Sequence, residues 1–171
     1  MELNDVILAR CSVRKFADKM IEDEKLLEVI STACIAPTAK NSQAFRIHVI
    51  RSEEGIAKIR ELSRCAFNAP VVLLFTYSKE EEWKNPFEEG VTSGIEDASI
   101  AATYAMLKAA ELGLGTCWVN YFPNTETEKA FGIPETERSV LLMPIGYPAD
   151  DAKPSPMHDQ KRPLNELVRT I

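Results

Sequence analysis

The sequence has only two histidines, His48 and His158, and its four cysteines, Cys11, Cys34, Cys65 and Cys117, lie far apart with no C-x-x-C pair. Zinc sites need nitrogen and sulfur donors at close spacing, so no metal centre is expected. A disulfide framework is not expected either, and the thiols should be reduced. No apolar run approaches the roughly 18 residues of a membrane span. The opening MELNDVILAR lacks the apolar centre of a secretory leader, so a cytoplasmic protein free of membranes is the expectation. Basic residues are the minority, 20 Lys and Arg against 26 Asp and Glu, and the net charge of −6 gives no general attraction to nucleic acid. There is no dinucleotide-binding G-x-G-x-x-G, no internal repeat and no low-complexity stretch. At 171 residues the chain is long enough to bury a core as a single domain spanning 1–171.

What the chain does have is a long helix signal ending in a glycine corner. In Ser93–Phe122, the residues Ile95, Ala98, Ala102, Ala105, Ala109 and Leu112 recur at three- and four-residue spacings. This makes one small, apolar helix face, suited to a central helix or a subunit seam. Gly113 and Gly115 stop the helix, and the β-branched and aromatic run Thr116–Phe122 reads as a strand. Such a corner can offer backbone N–H groups to a flat ligand, or be a simple junction.

Around this stretch the pattern is mixed. Asn4 is placed to cap a short first helix; Ile21–Ile35 is an amphipathic second helix stopped by Pro37, and Ser52 opens a third. Val71–Tyr77 (VVLLFTY) reads as a strand covered on both faces. Asn124 or Thr125 caps a further helix, and Ser139–Ile145 is another buried strand, broken at Pro144. Helices outnumber strands without regular alternation, which predicts an α+β, three-layer α-β-α sandwich with helices on both faces of a four-strand, mixed or antiparallel central sheet.

Three segments carry candidate chemistry. In Arg10-x-Ser12-x-Arg14, extended backbone puts both guanidinium groups and the hydroxyl on one side. They can hold a phosphate, or form a solvated basic edge. Thr38, Asn41 and Gln43 can face the polar edge of a heteroaromatic ring, or bond their own turn. The acidic segment Lys79–Gly90 carries Trp83 and Phe87; it is either a solvated loop or a lid over a pocket. The tail Tyr147–Pro163, with Lys161-Arg162, is expected to run extended over the surface or over a partner.

Four blocks in one order resemble the nitroreductase family of flavoproteins over nearly the whole chain. They are Arg10-x-Ser12-x-Arg14 with Phe16, Ala36-Pro37-Thr38 with Asn41-x-Gln43, Gly113-Leu114-Gly115-x-Cys117-Trp118, and Ile145-Gly146-Tyr147-Pro148 followed by Lys161-Arg162. The resemblance implies a homodimer with FMN at the subunit interface, NAD(P)H as electron donor and a small-molecule acceptor. It implies that Arg10, Ser12, Arg14, Lys161 and Arg162 hold the FMN phosphate and ribityl chain. Asn41 and Gln43 would meet the ribityl and ring, with Pro37 and Thr38 arriving from the partner. The backbone of Trp118, Val119 and Asn120 would approach the flavin N5 edge, and the alanine-rich helix would lie near the dimer seam. Trp83, Phe87 and Tyr121 are candidates to stack on substrate, and no side chain is assigned as a catalytic acid or base. The implied reaction is ping-pong hydride transfer to a nitroaromatic or quinone. The alternatives are another reductase chemistry such as dehalogenation, or a flavin-binding redox sensor using Cys11 or Cys117. Ala44-Phe45 stands where the family commonly has Pro-Trp, Gln160 where a second tail lysine is often found, and the segment between Tyr77 and Ser93 is short. Substrate range and nicotinamide preference are left open by these departures.

Overall fold

The fold is built on β2 (Val71–Ser78), whose first six residues are all buried. Its apolar run is shared between two faces, as alternation in a strand requires. Val71, Leu73 and Phe75 pack into one cluster, and Val72 and Leu74 into another. The computed structural model describes residues 2–171. Beside β2 lie β1 (Phe45–Ile50) and β4 (Glu137–Gly146), with β3 (Gly115–Thr116) beyond β4. The order is β1-β2-β4-β3 and every neighbouring pair is antiparallel.

One face is covered by α2 (Asp23–Cys34) and α4 (Gly94–Glu111), the other by α3 (Glu53–Leu62). Helix α5 (Asn124–Ala130) lies against β4 and α3; α1 (Leu3–Ala9) leans on α4, and α6 (Leu164–Leu167) sits in the tail. The expected three-layer α+β arrangement is therefore found. The small face of α4 consists of Ala98, Ala101, Ala102, Ala105 and Ala109, all fully buried in the cluster shared with α2 and the sheet. Ile95, by contrast, is 60% exposed, and the buried stripe begins instead at Gly94 and Asp97.

Local signals failed where tertiary contacts overrode them. Glu2, not Asn4, stands at the N-cap position of α1, without a side-chain cap, and Pro123 precedes α5, whose Asn124 amide instead donates to the carbonyl and hydroxyl of Ser139. Ser52 does cap α3, accepting from Gly55 N–H at 3.1 Å. Pro144 does not break β4, although proline is normally kept out of inner strands. The N–H of Leu142 donates to Val119, so the missing N–H of Pro144 would face the same side. That neighbour, Cys117, still donates to the Pro144 carbonyl at 3.2 Å but receives nothing back. The strand expected over Thr116–Phe122 is consequently reduced to Gly115–Thr116 plus a bridge between Val119 and Leu142.

Candidate functional site

The segment after α1 runs alongside β3. Ser12 pairs with Thr116 in parallel, and Val13 N–H donates to Thr116 O at 2.9 Å. The approach is close because residue 115 is glycine: a Cβ there would lie 2.6 Å from Val13 Cγ2. Arg10 and Ser12 are half-buried and Arg14 is exposed; Arg10, with Cys11 and Val13, lines a cavity of about 180 Å³ between this segment and the Gly113–Thr116 corner. Arg14 donates to the Ser12 carbonyl at 3.3 Å. Among the described residues neither Arg10 nor Arg14 joins an ion pair, although acidic side chains outnumber basic ones.

The same segment continues into a second pairing. Ala17 N–H donates to Tyr147 O at 2.8 Å, Ala149 N–H to Lys15 O at 3.1 Å, and Lys15 pairs with Asp151. The Tyr147 hydroxyl donates to Glu22 at 2.6 Å and accepts from Lys25 at 2.7 Å, with the Lys19 ammonium 4.0 Å from the ring centre. The Tyr147 hydroxyl, chiefly, holds the Glu22 carboxyl down at about 2. Beyond Ala152 the tail leaves the body: Lys161, Arg162 and all of α6 are exposed. Among the described residues Lys161 donates only to the His158 carbonyl. No described contact brings Lys161 or Arg162 to Arg10 or Arg14 within one chain.

Next to the corner, Trp118 and Asn120 occupy each other. Trp118 Nε1 donates to Asn120 Oδ1 at 2.8 Å, and Asn120 Nδ2 donates to the Val140 carbonyl at 3.0 Å. A bulge in β4 opposite Phe75 and Thr76 leaves Val140 out of register with β2. Val119 N–H is spent in the sheet on Leu142, whereas the N–H groups of Trp118 and Asn120 have no partner among the described residues. They are the donors this edge offers. Burial pushes the Cys117 thiol up, with the Arg14 charge offsetting part of the effect, so this sulfur is a poor nucleophile. Tyr121 is 67% exposed, with the Arg64 guanidinium 5.2 Å from its ring centre.

The third group sits elsewhere. Thr38 Oγ1 accepts from Gln43 N–H at 3.0 Å, and Lys40, Asn41 and Gln43 adopt φ of +53°, +54° and +50°. Left-handed backbone is uncommon outside glycine, and three such residues in one loop make a shape that surrounding contacts must hold. Pro37, Asn41 and Gln43 are exposed, and neither amide side chain has a described hydrogen-bond partner. Lys40 and Ser42 share a cavity of about 500 Å³ with Glu80, Glu82, Trp83 and Pro86. The loop carrying Trp83 is an ordered hairpin, with Lys84 bridging Thr92 and Asn85 N–H bonding Val91 O; Phe87 at its tip is 96% exposed.

Missed at the level of sequence was Asp97, an acidic residue in the apolar stripe of α4. It is 1% exposed, and its carboxylate accepts from Ala39 N–H at 2.8 Å, Ser93 Oγ at 2.7 Å and Ser42 Oγ at 3.3 Å. A charged residue breaking an apolar period was the available signal.

The first and third groups lie at opposite corners of the sheet. Phe45, just after the loop, aligns with Tyr77 and through it with Arg138, at the start of β4; Ser12 aligns with Thr116 and Ile145, at its end. Seven residues along β4 span roughly 23 Å, and four strand steps across span roughly 19 Å, so the corners are roughly 30 Å apart. One chain does not bring them together.

The sequence model of the Nitroreductase family matches residues 7–67 and 63–147. A crystal structure of a nitroreductase family protein from Clostridium difficile superposes with a TM-score of 0.91 at 32% identity, covering 99% of this chain and 98% of that one. The chain is 28% identical to FMN reductase [NAD(P)H] of Bacillus subtilis, over 88% of this chain and 67% of the relative. It is 29% identical to iodotyrosine deiodinase of Thermotoga neapolitana, over 97% and 95%.

Proposed function

We propose that this chain, which belongs to the nitroreductase family, is an FMN-dependent NAD(P)H oxidoreductase that works as a homodimer with each site shared between two copies. The observation that carries the reading is the pair of donor groups at opposite corners of one sheet. One is a set of two guanidinium groups that join no ion pair among the described residues, with the Ser12 hydroxyl between them in sequence, the chemistry of a phosphate cradle. The other is a pair of unpartnered amides on a left-handed loop, the chemistry of a heteroaromatic edge. Two copies related by a two-fold axis can bring one copy's cradle to the other's loop. FMN fits this donor set.

Arg10, Ser12 and Arg14 hold the phosphate, joined by Lys161 and Arg162. The tail supports the shared site: Leu164, Leu167 and Val168 are 74%, 64% and 57% exposed, apolar surface that a partner would cover. Thr38, Asn41 and Gln43 orient the ring, with Pro37 beside them, and the N–H groups of Trp118 and Asn120 meet its edge next to Val119. Bound FMN supplies two-electron chemistry, taking hydride from NAD(P)H and reducing an electron-poor acceptor such as a nitroaromatic or quinone. Trp83, Phe87 and Tyr121 offer aromatic surface to that acceptor.

Dehalogenation is the second reading, favoured by likeness to the deiodinase. The exposed Phe87 and the short 79–92 loop favour an open site instead. The test is an absorbance spectrum of purified protein, then anaerobic NADH and NADPH, then turnover with menadione. Flavin bands that bleach, followed by multiple turnover, are the expected result. Protein that takes up no FMN refutes the reading, and flavin bands without turnover leave a binding protein. Arg14→Ala should lower FMN affinity by about tenfold or more, the worth of one charge-assisted contact; unchanged flavin content would refute the phosphate assignment.

A further inference from the structure

We infer that Asp97 and Ser93 form a buried junction that sets, as positioning residues, both the cofactor loop Thr38–Gln43 and the aromatic loop carrying Trp83. This deepens the flavin reading above and rests on it. From Asp97 two hydrogen bonds reach the first loop, at Ala39 N–H and Ser42 Oγ. A third reaches Ser93 Oγ, which itself accepts from Trp83 N–H at 3.2 Å, while Ser93 N–H donates to Trp83 O at 3.0 Å. The path from Ala39 to Trp83 thus passes through two side chains on one rigid element, the start of α4. Gly94 beside them accommodates Tyr77, since a Cβ there would lie 2.1 Å from the ring.

The physical need is plain. Left-handed conformations at Lys40, Asn41 and Gln43 persist only where surrounding contacts over-determine them. Asp97 is the buried group that does so, and no basic side chain pairs with it among the described residues. Because Lys40, Ser42 and Trp83 line the same 500 Å³ cavity, the junction fixes that cavity from both sides. Acceptor binding and flavin binding are therefore coupled through it.

Each loop carries its own exposed lysine, Lys40 and Lys84, so limited trypsin digestion mapped by mass reads them separately, with Lys58 in α3 reporting global opening. In Asp97→Ala, cleavage after both Lys40 and Lys84 should accelerate by about fivefold or more with Lys58 unchanged, and FMN should bind about tenfold more weakly. Asp97→Asn keeps one acceptor for Ala39 N–H and should be intermediate. Ser93→Ala should speed cleavage after Lys84 and raise the menadione KM while sparing Lys40. Wild-type rates at Lys40 in Asp97→Ala, with FMN affinity within about twofold, would overturn the inference. If Asp97→Ala opens globally, Ser93→Ala decides, and equal acceleration at Lys40 and Lys84 or at neither overturns it. Wild-type protein that binds no FMN would sink the flavin reading, while the digestion pattern would still decide on the junction.

Discussion

Replacing Gly115 by alanine tests whether the proposed phosphate cradle depends on backbone contact with β3. The new Cβ would meet Val13 Cγ2 at 2.6 Å and Val13 Cβ at 2.8 Å, where ordinary contact starts at 3.4 Å. The two strands must therefore part by roughly 0.8 Å. Val13 cannot swing aside freely, being 7% exposed and packed with Phe16 and Ala69. Overpacking of this kind costs about 1–3 kcal/mol, and stretching the Val13–Thr116 hydrogen bond adds about 1 kcal/mol. A loss of roughly 2–4 kcal/mol corresponds to a Tm lower by roughly 5–15 °C for a chain of this size. Because Arg10, Ser12 and Arg14 ride on the displaced strand, FMN affinity should fall by about tenfold or more. Thermal melts and FMN titration measure both. A Tm within about 2 °C of wild type together with unchanged affinity would refute the claim that close approach at Gly115 positions the cradle.

The remaining tests are independent of the flavin. Tyr147→Phe removes the hydroxyl that chiefly holds the Glu22 carboxyl at about 2 rather than 4.5. A depressed carboxyl pKa stabilises the fold above the unfolded value, so wild type should melt above the variant at pH 7, with the gap closing as pH falls from 4.5 towards 2. A gap independent of pH would show that Glu22 is not the group involved. Thr127 is fully buried with an unpartnered Oγ1, so Thr127→Val should be neutral or raise Tm by about 2–4 °C in thermal melts; a marked fall in Tm would mean that the hydroxyl is satisfied in solution.

How much of this was readable in advance depended on how local the cause was. The period of α4 and the unbroken run of β2 report burial directly, and both elements appeared. The length of β3 was not readable, because its end is set by a proline about thirty residues away in β4. Asn4 and Asn124 had good cap chemistry but lost to longer-range partners or to chain geometry. The role of Asp97 was not readable, since two of its three donors, Ala39 N–H and Ser42 Oγ, lie on a loop that only the fold brings to α4. The cradle and the loop were each visible as short motifs. That they lie at opposite corners of one sheet was not, for register carries that information and motifs do not.

This diagonal separation has a genetic consequence. On the two-copy reading, a chain crippled at Arg14 still carries a sound Thr38–Gln43 loop, and a chain crippled at Gln43 still carries a sound cradle. Neither should function alone. Mixed and allowed to exchange subunits at random, they would form heterodimers in which one site collects both defects and the other collects none. Roughly a quarter of all sites would then be restored. Two null alleles of this gene would complement each other, and the rescue would vanish if both lesions were placed on the same chain.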